Sequence, residues 1–434
     1  MNVSYRAYRL LSSGLFLPAA VPALLLRRLT GMGGETLPER LGRYKEIDGR
    51  RPSGRPRIWL HAVSVGEVRA AAAVAGVLKE RLPGCALVLS TTTVSGQAQA
   101  RKLADRRTAC VYAPLDLPFA VRSALNRIRP DLLAICETEI WPNWLMEART
   151  LGVPTALING RISLRSFRRY RRIRSLIGPV LNSFRALSMI SDADAGRIRR
   201  LGADRRRVCI NGNAKYDGLV EQADQADAVR MARLLCLDKD APVLVAGSVR
   251  GGELSPVIDA FLRIRSHVTG AVLVVAPRHL ENAAVLSAAA EKRGLPVQRR
   301  SAIGSSGAER TAPVVVLDTY GELMAVYGIA SVVFCGGSLV PLGGQNVMEP
   351  AAWGKPVLYG PSMEDFADAR ELLERKGGGE TVTDGEHLAE RALYFLSHPA
   401  EAAAAGQRAL AAAASQQGAG RRHAEVILEL LKNR

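Results

Sequence analysis

Aromatic residues are scarce in this 434-residue chain, at 5% of positions, and its six cysteines include no C-x-x-C pair. The six histidines form no H-x-x-x-H pattern, so the spacing supports neither a disulfide framework nor a zinc site. Acidic residues are outnumbered as well: 59 Lys and Arg against 41 Asp and Glu give a net charge of +18. This excess predicts an anionic partner, and charge alone does not choose between nucleic acid, acidic lipid and a phosphorylated substrate.

The longest apolar run lies near the amino terminus, where Leu10 to Leu26 is interrupted only by two serines. About seventeen residues is close to the lower limit for a membrane-spanning helix. A cleaved signal peptide, a single anchor and a helix in the bilayer interface all fit such a run. Because Arg27 and Arg28 follow it, the positive-inside tendency leaves the rest of the chain cytoplasmic. We expect residues 1–30 to form a membrane anchor or an interfacial helix.

Short apolar and β-branched runs alternate with alanine-rich stretches of helical composition along the rest of the chain. Uninterrupted apolar runs are typical of strands buried on both faces of a parallel sheet, so the pattern predicts βαβ units and an α/β fold. Twelve strands are expected, at residues 57–62, 86–92, 109–112, 131–136, 154–158, 186–190, 207–210, 242–247, 271–276, 313–318, 331–335 and 356–359.

A glycine turn and a polar helix within residues 212–240 change the composition and indicate a domain boundary. We expect two doubly wound, Rossmann-like domains facing a cleft, formed by residues 31–212 and 213–404. In such sheets, ligands bind at the carboxyl ends of the strands. The terminal segment 405–434 contains a last helix, at about 405–432, which by fold analogy alone is a candidate for crossing back to the first domain.

The first candidate site motif is Ser64-Val-Gly-Glu67, between an expected strand and an expected helix. Ser64 and Glu67 have the spacing of a capping box, whose side chains satisfy free helix N–H groups and need no function. Sequence physics alone favours this cap. The alternative is a carboxylate that acts as a general base on a sugar hydroxyl. The two roles compete, because a carboxylate held in its own cap is poorly placed to take a proton.

The second motif places Glu137 and Glu139 where an apolar strand emerges, followed by a Trp-Pro pair. Charged side chains seldom enter a core unpaired, so carboxylates at this end of a parallel strand favour a functional site over packing.

The third motif is a glycine-rich loop at residues 336–344, which leads from a strand into a helix that carries Glu349. Such a loop can present backbone N–H groups to a phosphate. Glycine pairs alone are weak evidence, because loops use glycine freely. The succession of loop, helical glutamate and strand resembles the nucleotide-sugar half of GT-B glycosyltransferases, where the glutamate hydrogen-bonds the ribose hydroxyls.

Two features that suggest other chemistry have simpler explanations. Asp192-Ala-Asp194 is spelled like a metal-binding D-x-D motif, but it follows Ser191 at an expected helix start, where capping acids are common. Residues 161–174 hold seven arginines and no acidic residue, which indicates a solvated helix face or a clamp for lipid phosphate. Nucleic-acid binding would usually add interleaved aromatic residues, and only two are present.

In their order and composition these motifs resemble the 3-deoxy-D-manno-octulosonic acid (Kdo) transferases that extend lipid A. The resemblance runs from Glu39 to about Ala369 and adds several segments to the motifs above. Those segments are E-R-L-G-R at 39–43, G-N-A-K-Y-D at 212–217, A-G-S at 246–248, A-P-R-H at 276–279 and G-G-Q-N-V-M-E-P at 343–350.

The resemblance implies a GT-B fold and an inverting transfer of Kdo from CMP-Kdo to a lipid A precursor, at the cytoplasmic face of the inner membrane. Glu67 would be the base that deprotonates the acceptor hydroxyl, and Glu137 and Lys215 would stabilise the transition state. Neither a metal nor another cofactor is expected, because cations and helix N-termini can hold the phosphate, and no nucleic-acid partner is expected. The CMP contacts would come from Pro277, Arg278, Tyr320, Gly321, Glu322, Asn346, Val347, Met348 and Glu349.

The chain departs from the family's usual sequence at Gln345, where histidine is common, and at Tyr320, where methionine is common. Neither departure removes a proposed catalytic group. Two alternatives stand beside the main interpretation. One is a different GT-B enzyme with a UDP-sugar donor and a lipid-linked acceptor; the other is a non-enzymatic basic protein that binds membrane or nucleic acid.

Overall fold

The computed structural model describes residues 3–14, 36–45, 47, 52–238, 240–304 and 308–433. Residues 1, 2 and 15–30 of the expected membrane segment lie outside these ranges. Within the described ranges, no helix combines the length and the apolar composition needed to cross a bilayer. The chain forms two compact units, one of Met1–Asp217 with Gly418–Arg434 and one of Gly218–Gln417.

Each unit is built on a seven-stranded sheet in which the neighbouring strands run parallel. The first sheet contains β1 Arg57–His61, β2 Ala86–Thr91, β3 Thr108–Tyr112, β4 Leu132–Cys136, β5 Thr155–Gly160, β6 Ala186–Met189 and β7 Val208–Ile210. The second contains β8 Val243–Val249, β9 Val272–Pro277, β10 Val297–Arg299, β11 Val314–Val316, β12 Val332–Cys335, β13 Val357–Tyr359 and β14 Gly379–Thr381.

Helices connect most successive strands, and further helices precede β1 and follow β14. In the first unit they are residues 3–14, Leu37–Arg40, Val65–Arg81, Val94–Arg101, Pro118–Ile128, Pro142–Thr150, Leu164–Arg172, Arg174–Leu181, Asp192–Arg200 and Ala419–Lys432. In the second they are Leu219–Gln222, Gln225–Leu234, Leu254–His267, Ala283–Glu291, Leu323–Gly328, Met348–Ala352, Ala367–Lys376, Gly385–Ser397 and Pro399–Ala414.

Burial on both faces of the sheets explains why the strands are apolar without interruption. Every residue of β1 is buried, and alternate side chains enter different cores: Trp59 packs in one cluster, while Ile58 and Leu60 pack in another. Successive side chains of a strand point to opposite faces, so a sheet covered by helices on both sides needs apolar residues at every position. The expected α/β class and the two Rossmann-like sheets are confirmed.

The strand orders locate where each sheet should bind ligands. The first sheet has the order β3-β2-β1-β4-β5-β6-β7 and the second β10-β11-β9-β8-β12-β13-β14. The chain therefore winds outward from β1 in one direction and from β4 in the other, and likewise from β8 and from β12. The crevice at such a switch point is the ligand site of open parallel sheets. Residues that follow β1, β4, β8 and β12 are the candidates.

Three sequence expectations differ from the structure. Strands β10 and β14, of three residues each, were not expected, since both are edge strands without an apolar run. The single last helix at about 405–432 is wrong: Pro399–Ala414 and Ala419–Lys432 are separate helices, broken by Gly418 with a φ of +72°. The units divide after Asp217 and before Gly418, whereas the sequence placed the boundaries at 212 and 405.

Candidate active site

Glu67 lies in the first turn of helix Val65–Arg81, directly after β1. Its Oε2 accepts the Val63 N–H at 2.8 Å, and its Oε1 accepts the Ser64 hydroxyl at 3.1 Å. The Ser64 Oγ in turn accepts the Glu67 N–H at 3.4 Å. Ser64 therefore caps the helix as the sequence predicts, but the Glu67 carboxylate accepts the Val63 N–H and not the Ser64 N–H that a full capping box would use. These contacts fix the carboxylate at the amino end of the helix, beside the switch point between β1 and β4.

The surroundings of Glu67 favour its protonated form. Burial and then the negative charge of Glu137 raise the pKa of Glu67 to about 7, against the lowering effect of the Val63 and Ser64 hydrogen bonds. A carboxyl group of this pKa exchanges its proton near neutral pH, which is the range where a general base is most effective.

Glu137 follows β4 and faces Lys215 across the same switch point. Its backbone is in the left-handed region with a φ of +60°, which is rare for a residue with a side chain. Residues with such strained backbone cluster at active sites, although helix C-caps such as Arg129 also adopt this conformation. The Lys215 Nζ forms an ion pair with the Glu137 Oε1, and both side chains are largely buried. Two carboxylates and one ammonium group therefore meet at the end of β1 and β4.

Gly66 shows how close Lys215 comes to the helix that carries Glu67. A β-carbon at Gly66 would lie 3.4 Å from the Lys215 Cε and 3.5 Å from its Nζ, which is van der Waals contact. The lysine side chain therefore packs directly against the first turn of this helix.

The candidate donor contacts of the second unit lie at the carboxyl ends of its strands. Arg278 is exposed directly after β9, and the Tyr320 side chain is 87% exposed after β11, so both are accessible to a ligand. Pro277 is the last residue of β9, and Gly321 has a φ of +83°. Glu322 is already engaged, since the Arg300 guanidinium donates to its Oε1 at 2.7 Å.

The segment from Asn346 to Glu349 shows which of its members can contact a ligand. The Asn346 Nδ2 donates to the Glu349 Oε1 at 3.0 Å, and both side chains are half-buried. The side chains of Val347 and Met348 are fully buried, so only their backbone groups are available. The Asn346 Oδ1 accepts the Met348 N–H at 3.1 Å, which fixes the start of the helix.

Glu253, which the sequence analysis did not single out, occupies the glycine-rich loop from inside. Its carboxylate is fully buried and accepts the N–H groups of Ser338 and Leu339 at 2.7 Å each, together with that of Gly337. The expectation that this stretch of the loop presents its N–H groups to a phosphate is therefore wrong. The protein's own carboxylate fills this anion-binding concavity, so these three N–H groups are not available to a phosphate.

The Asp192-Ala-Asp194 segment lies at a helix start, as the sequence indicates. Ser191 caps helix Asp192–Arg200, its Oγ accepting the Asp194 N–H at 3.1 Å, and Asp194 pairs with Arg197 at 3.2 Å. Within the part of the chain that the structure describes, no group of three or more His, Cys, Asp or Glu side chains could hold a metal ion.

Solved structures share this two-unit architecture. UDP-GlcNAc 2-epimerase of Neisseria meningitidis aligns with a TM-score of 0.61 at 11% identity, over 87% of this chain and 100% of that structure. A glycosyltransferase of Rickettsia africae aligns with a TM-score of 0.60 at 14% identity, over 88% and 100%. The two parallel sheets, with ligand sites expected at their switch points, therefore have the GT-B fold.

The sequence comparisons narrow this class to one family. Residues 35–218 match the family of 3-deoxy-D-manno-octulosonic-acid transferases (kdotransferases). The Bordetella pertussis Kdo transferase is 32% identical over 382 residues, which cover 86% of this chain and 87% of the relative. The Haemophilus influenzae Kdo transferase is 29% identical over 367 residues, or 85% and 84%. The chain belongs to the Kdo transferase family, and the non-enzymatic alternative is wrong.

Proposed function

We propose that this protein catalyses the inverting transfer of Kdo from CMP-Kdo to a hydroxyl of a lipid A precursor, in lipopolysaccharide core assembly, with Glu67 as the general base. Family membership supports Kdo as the transferred sugar. The observation that carries the catalytic assignment is the meeting of Glu67, Glu137 and Lys215 at the switch point of the first sheet.

In the proposed step, the oxygen of the acceptor hydroxyl attacks the anomeric carbon of Kdo, and Glu67 accepts the proton of that hydroxyl. The bond from that carbon to the phosphate oxygen breaks, and CMP leaves with the electron pair. Each oxygen of Glu67 accepts one cap hydrogen bond and keeps a second lone pair, so capping and proton transfer are compatible. The Glu137–Lys215 pair supplies fixed charges close to the oxocarbenium-like transition state.

The proposal assigns CMP to the second unit. Arg278 is the exposed cation for the phosphate, and Glu349, oriented by Asn346, accepts from the ribose hydroxyls. Tyr320 offers an exposed ring beside the Gly321 turn, while Glu322 acts through its ion pair with Arg300. Pro277, Val347 and Met348 contribute backbone shape, because their side chains are buried. No metal is required if these groups hold the donor, and full activity in EDTA would support that expectation.

We further propose that the protein acts at the cytoplasmic face of the inner membrane. Val3, Leu10 and Leu11 are 78%, 74% and 61% exposed on the helix of residues 3–14, and they give the described part of the expected anchor an apolar surface. Helix Leu164–Arg172 carries five arginines in nine residues and could contact anionic head groups. Sedimentation with vesicles that contain phosphatidylglycerol, but not with phosphatidylcholine alone, is the expected result.

The test incubates purified protein with CMP-Kdo, made in situ, and a tetra-acylated lipid A precursor, and measures product mass. The wild type should add one or more Kdo increments, and Glu67→Gln should add none. Glu80→Gln is the matched control, since Glu80 is an exposed residue of the same helix. A folded, CMP-binding wild type without product would refute the acceptor, and turnover only with UDP-sugars would favour the alternative donor. Full activity of Glu67→Gln would leave Glu67 as a cap alone.

A further inference from the structure

Lys215 lies on a turn that cannot hold its own position. The turn, Ala214–Tyr216, is a single 3-10 turn between β7 and the boundary of the unit. Three residues of 3-10 helix provide few internal hydrogen bonds, so the placement of the lysine depends on neighbouring elements. Those elements are β5, β6 and the helix Ala419–Lys432, named here the C-terminal helix, which folds with the first unit.

His423 of the C-terminal helix is fully buried and holds three hydrogen bonds. Its Nδ1 accepts the Asn159 N–H at 3.3 Å and contacts the Ser188 Oγ at 2.7 Å, and its Nε2 lies 2.9 Å from the Gly212 carbonyl oxygen. A backbone N–H can only donate, so Nδ1 carries no proton and Nε2 donates to Gly212. Burial lowers the pKa of His423 to about 4, which keeps the ring neutral in an assay near pH 7.

The partners of His423 lead directly to Lys215. Asn159, at the end of β5, has a left-handed φ of +50°, and its Oδ1 accepts the Ala214 N–H at 2.8 Å. Gly212 opens the same segment three residues before Lys215. The imidazole therefore holds Gly212, just before the Lys215 turn, by a direct hydrogen bond. It holds Ala214, the first residue of the turn, indirectly: the ring accepts the Asn159 N–H, and the Asn159 side chain accepts the Ala214 N–H.

A second set of contacts binds the other end of the turn to the same helix. The Asp217 carboxylate accepts the N–H groups of Gly418 and Gly420 at 2.8 Å each, which caps the C-terminal helix. A β-carbon at Gly420 would lie 2.9 Å from the Asp217 Oδ2, so glycine is needed there for this contact. The Arg422 Nε donates to the Asn211 carbonyl oxygen at 2.9 Å. Residues 211–217 are held at both ends.

We propose that His423 is a positioning residue for Kdo transfer: it fixes the Lys215 turn and so keeps the Lys215 ammonium on the Glu137 carboxylate. An apolar side chain would fill the same buried space at lower desolvation cost, but would leave the Gly212 carbonyl and the Asn159 N–H without partners. The proposal rests on the proposed function, because it concerns the catalytic pair assigned there.

The test compares His423→Leu with wild type in the Kdo transfer assay across pH. Displacing Lys215 should lower kcat by about 10- to 100-fold and change KM for either substrate by less than about twofold. The acid limb of the pH profile of kcat should also move to higher pH by ~0.5–1 unit, because a Glu137 carboxylate without its lysine raises the pKa of Glu67. The charged groups around Glu67 are Glu137, Glu139 and Lys215.

Controls separate positioning from general loss of stability. Ile427→Val removes one methyl group from the fully buried core face of the same helix without touching a hydrogen bond, and should lower Tm without moving the acid limb. His423→Gln, which keeps an N–H donor, should recover part of kcat. In the Lys215→Met background, adding His423→Leu should cause no further loss of kcat, since the two changes act through one group.

Several outcomes would overturn the proposal. One is a His423→Leu enzyme whose kcat and whose acid limb in the pH profile of kcat equal those of the wild type. Another is an Ile427→Val enzyme whose acid limb shifts as much as that of His423→Leu. The third is a double variant in which the losses of kcat from His423→Leu and Lys215→Met are fully additive. If His423→Leu does not fold, Ser188→Ala removes one partner of the imidazole and should shift the limb in the same direction by less. Failure of the proposed function is distinguishable, because it would show as an inactive wild type or an active Glu67→Gln.

Discussion

Replacing Glu67 by glutamine should stabilise the protein at high pH while it abolishes transfer. The pKa of Glu67 is raised from 4.5 to about 7, so its ionised form is less favourable in the folded than in the unfolded chain. Because the folded pKa is the higher one, this cost is absent below pH 4.5, grows between pH 4.5 and 7, and is complete above pH 7. Glutamine does not ionise, so the variant is free of this cost at every pH.

The magnitude follows from the shift. At about 1.4 kcal/mol for each pKa unit, the cost of the ionised carboxylate is at most about 3 kcal/mol. Glutamine has one acceptor oxygen instead of two, so part of the cap is lost, at about 1 kcal/mol. A net gain of about 2 kcal/mol at pH 8.5 corresponds to a Tm increase of roughly 4–8 °C in a unit of this size.

Thermal unfolding at pH 5 and pH 8.5 measures this prediction. The advantage of Glu67→Gln should be large at pH 8.5 and nearly absent at pH 5, where lost cap bonds balance the small remaining gain. Glu80→Gln, on the exposed side of the same helix, should show a Tm difference that does not vary with pH. A Glu67→Gln protein that is less stable than wild type at both pH values would refute the reasoning and leave Glu67 as an ordinary helix cap.

Three further substitutions test individual groups. Lys215→Met should lower kcat by about 10²- to 10³-fold with little change in KM, measured by steady-state Kdo transfer, because the ammonium group acts at the transition state. Arg278→Gln should raise KM for CMP-Kdo by about 10- to 100-fold through loss of a charge-assisted contact, while exposed Arg265→Gln should not. Glu253→Ala should destabilise the protein by about 3 kcal/mol in thermal unfolding, because buried N–H groups lose their acceptor; exposed Glu281→Ala should change Tm little.

The fold was largely readable from the sequence because a parallel sheet covered on both faces demands apolar residues at every strand position. All twelve expected strands are present to within a few residues at either end. The exceptions, β10 and β14, are edge strands with polar residues such as Gln298, Arg299 and Glu380. Both of these edge strands are partly solvated along their whole length, so neither carries an apolar run that could identify it, unlike the edge strands β3 and β7 of the first sheet.

The candidate site was only partly readable, for a different reason. Glu67 and Glu137 stand at expected strand ends and could be proposed from position alone. The groups that orient Lys215 come from distant parts of the chain: Asn159 and His423 are separated by 264 residues. No local spacing connects them, and a single histidine in a helix is a weak signal. Only the strand order and the course of the C-terminal helix bring them together.

Glu67 shows why the cap and the base need not be alternatives. Burial and the adjacent Glu137 disfavour its ionised form, whereas the Val63 N–H and the Ser64 hydroxyl favour it. Without the cap, the carboxyl group would stay protonated at neutral pH and could not accept a proton; without burial, it would be ionised but too weak a base. The contacts with Val63 and Ser64 at the helix start supply the hydrogen bonds that hold the pKa near 7. The feature that indicated a purely structural role is therefore the one that makes the proposed chemistry possible.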